Sequence, residues 1–254
     1  MKKITQSIII PILISLFVIS CSETEKKKLT DETDARLELE GRYKLPIKEP
    51  SGLTLSSDGE YLWTVSDEVS RFYKITKKGE LIDSVEVSGF DLEGIDILDN
   101  DNFLIITERD RGVLQYSSDF QLKKRVLLHV SEEENSGIEG IVHNPKNGNT
   151  FILNEKKPGL LIEVNDQFHI IKRKELNFAK DYSGLELDTS KNQLWIISDE
   201  NQAIFKCDLE GNPIDSYKVD IPQIEGIAID FKNNLIYIVS DNTENLYVFR
   251  LKEE

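Results

Sequence analysis

Short apolar runs, four to eight residues long, alternate along this chain with small clusters of Gly, Asn, Asp and Lys. The runs are rich in Ile, Val, Leu, Phe and Tyr, the composition of half-buried or buried strands rather than of amphipathic helices. Phe103 to Thr107 is such a run, and Val113 to Tyr116 and Lys123 to His129 follow it. The separators are turn sequences, among them Ser57-Asp58-Gly59, Lys77-Lys78-Gly79, Asn100-Asp101-Asn102, Pro145-Lys146-Asn147-Gly148, Ser190-Lys191-Asn192, Glu210-Gly211-Asn212 and Lys232-Asn233-Asn234. Asn, Asp and Gly tolerate the left-handed backbone that tight turns need. No amphipathic helix of 10–15 residues intervenes, which argues against a βαβ architecture.

The pattern repeats. Leu92-Glu93-Gly94-Ile95, Ile138-Glu139-Gly140-Ile141 and Ile224-Glu225-Gly226-Ile227 are copies of one phrase, and Pro50-Ser51-Gly52-Leu53 and Tyr182-Ser183-Gly184-Leu185 are weaker ones. Their glycines stand 42, 46, 44 and 42 residues apart. About 15 residues after each glycine an apolar run ends in an acid: Asp67, Glu108, Glu155, Asp199 and Asp241. Units of four strands at this period predict an all-β, five-bladed β-propeller. The last unit has only three strands, and a spare strand at Gly41 to Ile47 precedes the first. The reading is therefore that the N-terminal strand closes the last blade and leaves no open edge at the seam. A sixth blade would have no stretch of chain to form it.

The first strand of a blade runs antiparallel to the second, so the start of one lies beside the end of the other. The phrase residue and the terminal acid of every blade are thereby expected at one mouth of the central channel. An inner set would hold Glu93, Glu139 and Glu225, with Ser51 and Ser183 completing it; an outer acidic ring would hold Asp67, Glu108, Glu155, Asp199 and Asp241. Like charges so close either bind protons or gather a cation. Carboxylates suit calcium or magnesium, which makes Glu93, Glu139 and Glu225 candidate metal ligands and calcium the candidate cofactor. The other reading is that each acid accepts backbone N–H bonds from a neighbouring blade, a staple repeated because the blade is repeated. Arg109 and Arg111, in a loop at the same face, are candidate anion-binding residues, since arginine clasps phosphate or carboxylate through two parallel hydrogen bonds. The phrase glycine serves either close backbone approach or a positive φ.

The ends of the chain have a separate logic. Lys2 and Lys3 precede twelve mostly apolar residues, Ile8 to Ile19, too few to span a bilayer as a helix and typical of a secretory signal. Val18-Ile19-Ser20-Cys21 resembles a bacterial lipobox, which implies cleavage before Cys21 and its lipidation. On this reading residues 1–20 are signal, residues 21–40 a charged tether and residues 41–254 the propeller, held to a membrane in the cell envelope on its extracytoplasmic side. Cys207, the one other cysteine, lies in a strand pattern and reads as structural.

The 254 residues carry 31 basic against 46 acidic side chains, a net charge of −15. Nucleic acid is thereby an unsuitable partner, because its binding relies on clustered Lys and Arg. Nucleophile-elbow, Walker and His-Glu-x-x-His motifs are absent, and with only three histidines a histidine general base is a weak candidate.

The Glu-Gly-Ile phrases, the opening Pro50-Ser51-Gly52-Leu53 and the Ser-Asp that closes several second strands resemble the SdiA-regulated, YjiK-like family of bacterial propellers, over about Gly41 to Lys252. The sequence is more distantly similar to esterase-like phytases and to calcium-binding lactonase-type propellers. Those likenesses imply a calcium ion near the channel and a small or phosphorylated ligand; the lactonase-type metal motifs have no counterpart here. Three functions remain open: a ligand- or partner-binding propeller with calcium at its acidic face, a calcium-dependent phosphoester hydrolase, and an interaction platform without metal.

Overall fold

The computed structural model describes residues 33–87, 91–98, 101–130 and 137–252. The expected signal segment, Cys21 and most of the tether lie outside them. Among the described residues there are twenty strands and no helix long and apolar enough to cross a membrane. Strand β1 (Leu37–Lys44) comes first. Blade one is β2 (Pro50–Leu55), β3 (Tyr61–Ser66), β4 (Arg71–Thr76) and β5 (Leu81–Glu86). Blade two is β6 (Leu92–Ile97), β7 (Phe103–Thr107), β8 (Gly112–Tyr116) and β9 (Leu122–Leu127). Blade three is β10 (Ile138–Asn144), β11 (Asn149–Asn154), β12 (Leu160–Val164) and β13 (Ile170–Glu175). Blade four is β14 (Gly184–Asp188), β15 (Gln193–Ser198), β16 (Ala203–Asp208) and β17 (Pro213–Lys218). The chain ends with β18 (Ile224–Asp230), β19 (Leu235–Ser240) and β20 (Asn245–Leu251).

Each blade is a separate four-stranded antiparallel sheet, and β1 is the outer strand of the fifth, in the order β1-β20-β19-β18. The architecture is a five-bladed β-propeller closed by its N-terminal strand. That strand begins at Leu37, four residues before the expected Gly41, and pairs Leu37 with Leu251 and Lys44 with Asn245. Its alternating burial, with Leu37 and Gly41 in and Glu38 and Lys44 out, is the period-2 pattern of a strand. The charged composition of the outward positions made this segment read as tether. The anticipated turns contain left-handed residues: Gly59, Gly79, Gly148 and Gly211 have φ of 71–76°, and Asp101, Asn192 and Asn234 have φ of 54–57°.

The core is divided into five clusters, each lying between two neighbouring blades. Trp63 and Phe72 of blade one pack on Leu92, Ile95 and Phe103 of blade two. Leu45, Ile47 and Leu53 pack on Tyr237, Val239 and Leu246 across the seam. Buried aliphatic and aromatic side chains of this size contribute about 1.5–3 kcal/mol each, so blade-to-blade contact holds the ring. Cys207 is fully buried among such residues, and burial pushes its thiol up to about 12, as a structural cysteine requires.

The repeated glycines let the five inner strands meet at the axis. A Cβ on Gly52 would stand 2.2 Å from the Glu93 carbonyl oxygen, and one on Gly226 would stand 2.7 Å from the Leu53 backbone nitrogen. The phrase glycine thus serves close backbone approach, while positive φ occurs at the turns.

Candidate functional site

In four blades the pairing of the first two strands is irregular at the phrase. Ile224 pairs with Ser240 while Gly226 pairs with Val239, and equivalent slips occur in blades one, two and three. Blade four, with Ser183 at that position, pairs Gly184 with Ile197 and continues without a slip. A bulge re-aims the side chain it carries. Here Glu93, Glu139 and Glu225 turn toward the axis. The outer acids are fixed at the same end through their backbones: the Asp67 N–H donates to the Glu49 carbonyl at 3.1 Å, Glu108 to Asp91 at 3.0 Å, Glu155 to Gly137 at 3.0 Å and Asp241 to Gln223 at 3.1 Å.

These residues line one cavity of about 310 Å³ at the channel mouth. Its wall carries all eight acids of the inner and outer sets, together with Ser51 and Ser183. It also carries Glu49, Asp181 and Glu200, which the repeat did not single out. Lys156 is the one basic side chain among the described residues of the wall; it is ion-paired with Glu155 and lies 3.8 Å from Glu200. Below the acids the channel narrows to a void of about 10 Å³ among the phrase glycines, Leu53, Ile95, Ile141, Leu185 and Ile227. The roomy part of the channel is thus a cup at its mouth.

Burial, then the neighbouring carboxylates, holds the inner glutamates in the protonated direction. Glu139 is raised well above the usual range by burial and by Glu93, Glu225, Glu108 and Glu155. Glu93 is raised likewise by burial, with the Ser51 hydroxyl bond working against it. Glu225 is pushed up to about 8, by burial and then by Asp199 and Asp241. Burial also raises Asp67, Glu108, Asp199 and Asp241.

The finest geometric grouping mixes the two sets. Among the described residues, one carboxylate oxygen from each of Glu108, Glu139 and Glu155 lies within 4.8 Å of the other two. The expected trio of Glu93, Glu139 and Glu225 shares the cavity without forming that tight group. One reason is that Glu93 is held aside by Ser51, whose hydroxyl donates to it at 2.5 Å. Staple geometry is present at Asp199, which accepts from the backbone N–H groups of Gln223 and Ile224 in the next blade. At Glu108 the neighbouring blade supplies Gly137 instead, where a Cβ would stand 1.9 Å from the Glu108 Cγ.

Arg109 and Arg111 do not line the cavity. Arg109 Nε is 2.7 Å from Asp91 Oδ2 at the rim, with its own side chain 75% exposed, and Arg111 occupies a left-handed turn at φ 51°. Asp181 was missed by the reading of the sequence. It is buried, accepts from the Ser198 hydroxyl and from the Glu200 N–H at 3.1 Å, and stands two residues before Ser183. The signal was available, since the same offset in the other blades reads Glu49, Asp91, Gly137 and Gln223.

A second pair of carboxylates lies further along the channel. Asp96 of β6 accepts from the Thr54 hydroxyl at 3.2 Å and the His143 N–H at 2.6 Å, tying blades one, two and three. Glu186 of β14 accepts from the Leu187 N–H at 2.8 Å, and at 3.4 Å from the Ile229 N–H of blade five. Burial and the nearby Asp96 push Glu186 up to about 8. These contacts are structural.

A family profile described as SdiA-regulated matches residues 28–250 of the chain. Among solved structures, the chain is similar to a glutaminyl cyclase of Myxococcus xanthus, at a TM-score of 0.68 and 12% identity over 85% of this chain and 96% of that one. It is similar to a chain of a nidogen/laminin complex, at a TM-score of 0.58 and 15% identity over 81% and 77%. It is also similar to a streptogramin B lyase, at a TM-score of 0.51 and 16% identity over 83% and 72%. At such identities the likeness is one of fold, which hosts many unrelated functions.

Proposed function

The chain belongs to the SdiA-regulated family of β-propellers, and from that premise we propose that it is an envelope lipoprotein whose acidic cup binds a hard divalent cation, of which calcium fits best. The observation that carries this reading is the meeting of Glu108, Glu139 and Glu155 within 4.8 Å. The donor set passes a chemical test: the wall offers carboxylate and hydroxyl oxygens and neither His nor Cys, which suits calcium or magnesium rather than zinc. Calcium takes six to eight oxygens in flexible geometry, and a ring of independently mounted acids accommodates that better than the strict octahedron of magnesium. Bound, the ion would neutralise the repulsion among the cup's carboxylates and present open coordination positions to an anionic ligand or partner.

The cup's volume exceeds that of one ion, so ligand recognition above it is part of this reading. A phosphoester hydrolase is the less favoured alternative, because the described wall provides a single basic side chain, Lys156, already paired with Glu155. The expected lipobox supplies the membrane attachment through Cys21; acyl chains there would add about 0.8 kcal/mol per buried methylene. The test is thermal unfolding with EDTA, magnesium and calcium. Calcium should raise Tm more than magnesium, and Glu139→Gln should remove the rise. A Tm indifferent to calcium would refute the cation.

A further inference from the structure

The acid that closes the second strand is followed by Glu68, Arg109, Lys156, Glu200 and Asn242 in the five blades. Two of these followers are cations, and the fold sends them to different places. Arg109 turns out to Asp91 at the rim, with its side chain 75% exposed. Lys156 turns into the cup, where it is ion-paired with Glu155, a member of the close trio.

Blade three builds this difference into its loop. The residue before the terminal acid is Ser66, Thr107, Ser198 or Ser240 in the other blades and Asn154 in blade three. In blades one, four and five that hydroxyl donates back to the connector before the blade: Ser66 to the Lys48 carbonyl at 2.7 Å, Ser198 to the Asp181 carboxylate and Ser240 to the Pro222 carbonyl at 2.7 Å. The buried Asn154 amide instead donates forward, to the Lys156 carbonyl at 3.2 Å and the Pro158 carbonyl at 2.8 Å. The backbone of Lys156 is thereby clipped to the end of β11, while its side chain keeps a second carboxylate in reach. Glu200, on the loop of blade four, is 3.8 Å from the Lys156 ammonium and 47% exposed. Burial works against the ammonium, but Glu155, Glu200 and Asp181 together hold it above the usual lysine range.

We propose that Lys156 is a tethered competitor for the cup: it yields Glu155 to a divalent cation and passes to Glu200. This rests on the reading of the cup as a cation site and adds what regulates that site. A carboxylate cannot serve an ammonium and a divalent ion equally well, since the two cations repel each other at close range. An ammonium fixed to the loop is not diluted away, so it competes at every calcium concentration. The cup therefore fills at higher calcium than its carboxylates alone would require. Glu200 is outside the close trio, and its part is to receive the displaced ammonium without letting it leave the wall.

The test titrates calcium by calorimetry into the parent chain, Lys156→Met, Glu200→Gln and the double variant, and melts the parent and Lys156→Met in EDTA. Lys156→Met should bind calcium at least ~5-fold more tightly than the parent, and should melt lower in EDTA because the cup has lost its own cation. Glu200→Gln should weaken binding at least ~3-fold where Lys156 is present and clearly less in the Lys156→Met background. Parent binding that is unchanged or weaker in Lys156→Met, or a Glu200→Gln effect equal in both backgrounds, would overturn the exchange and leave the cation reading standing. A Lys156→Met chain that melts above the parent in EDTA would overturn it as well. Calcium binding by Lys156→Met but not by the parent would refute the parent's cation site while upholding Lys156 as the competitor. No binding by either chain would overturn the cation reading and the exchange together.

Discussion

Ser51 and Glu93 hold the same position in adjacent blades, and the Ser51 hydroxyl donates to the Glu93 carboxylate at 2.5 Å. Blade one, which lacks the acid, thereby supplies a donor to its neighbour's acid; blade four also lacks it, but there the Ser183 hydroxyl donates to the Ile224 backbone carbonyl at 2.6 Å. Ser51 and Glu93 are both buried, so their bond is screened from water. Ser51→Ala removes this donor from a buried carboxyl and should cost about 1–2 kcal/mol in chemical denaturation, with Ser51→Thr restoring most of it. A Ser51→Ala chain as stable as the parent would show that the hydroxyl is not holding Glu93.

The raised carboxyls make a stability profile with a definite sign. Glu93, Glu139, Glu186 and Glu225 bind protons more tightly folded than unfolded. Their stabilising contribution is complete below the unfolded value near 4.5 and is lost as pH rises through the folded value, about 8 for Glu186 and Glu225. Each such group removes about 1.4 kcal/mol per pH unit across that window. Asp34, Asp208, Asp215, Asp230 and Glu244 are shifted down by their partners and protect in the opposite sense, so stability also falls in acid. In EDTA, Tm should peak near pH 5 and decline toward pH 8.5. Saturating calcium should flatten the decline, because the cation replaces the protons. A Tm in EDTA that rises from pH 5 to 8 would contradict the shifts.

Two glycines separate fold from site. A Cβ at Gly52 meets backbone, 2.2 Å from the Glu93 carbonyl oxygen and 2.8 Å from the Ile95 nitrogen. The inner strands cannot yield there without opening the ring, so Gly52→Ala should destabilise by about 3 kcal/mol or more. At Gly137 the three atoms nearest a Cβ all belong to the Glu108 side chain, the first being Cγ at 1.9 Å. Gly137→Ala should cost less stability than Gly52→Ala, because a side chain rather than backbone must move, and should weaken calcium binding by displacing Glu108. Circular dichroism melts and a calcium titration of the two variants check the contrast; equal loss of stability in both would dissolve it.

The blades were legible because three local signals coincide: apolar runs of strand length, Asn/Asp/Gly turns, and a phrase repeated every 42–46 residues. The common face of the acids followed from antiparallel pairing alone, and all eight lie on one cavity wall. What pairing does not determine is how far each side chain reaches across the axis. That depends on the bulges at Glu93, Glu139 and Glu225 and on Ser51 drawing Glu93 aside, so the close trio contains Glu108 and Glu155 rather than Glu93 and Glu225. Asp181 escaped because the column two residues before the phrase mixes Glu, Asp, Gly and Gln. Its common feature is a place in the blade, not a side-chain type. The early start of β1 escaped because Leu37 and Leu39 alternate with Glu38 and Glu40, and composition outweighed periodicity.

The central claim is a cation held in the cup by Glu139 with Glu108 and Glu155. Its most direct measurement is calcium titration by isothermal calorimetry of the parent chain beside Glu139→Gln and beside Glu93→Gln. Parent binding that weakens at least ~10-fold in Glu139→Gln, and by less in Glu93→Gln, is the expected result. No calcium binding by the parent, or binding indifferent to Glu139→Gln, would contradict the account and leave the acid ring as a set of contacts between blades.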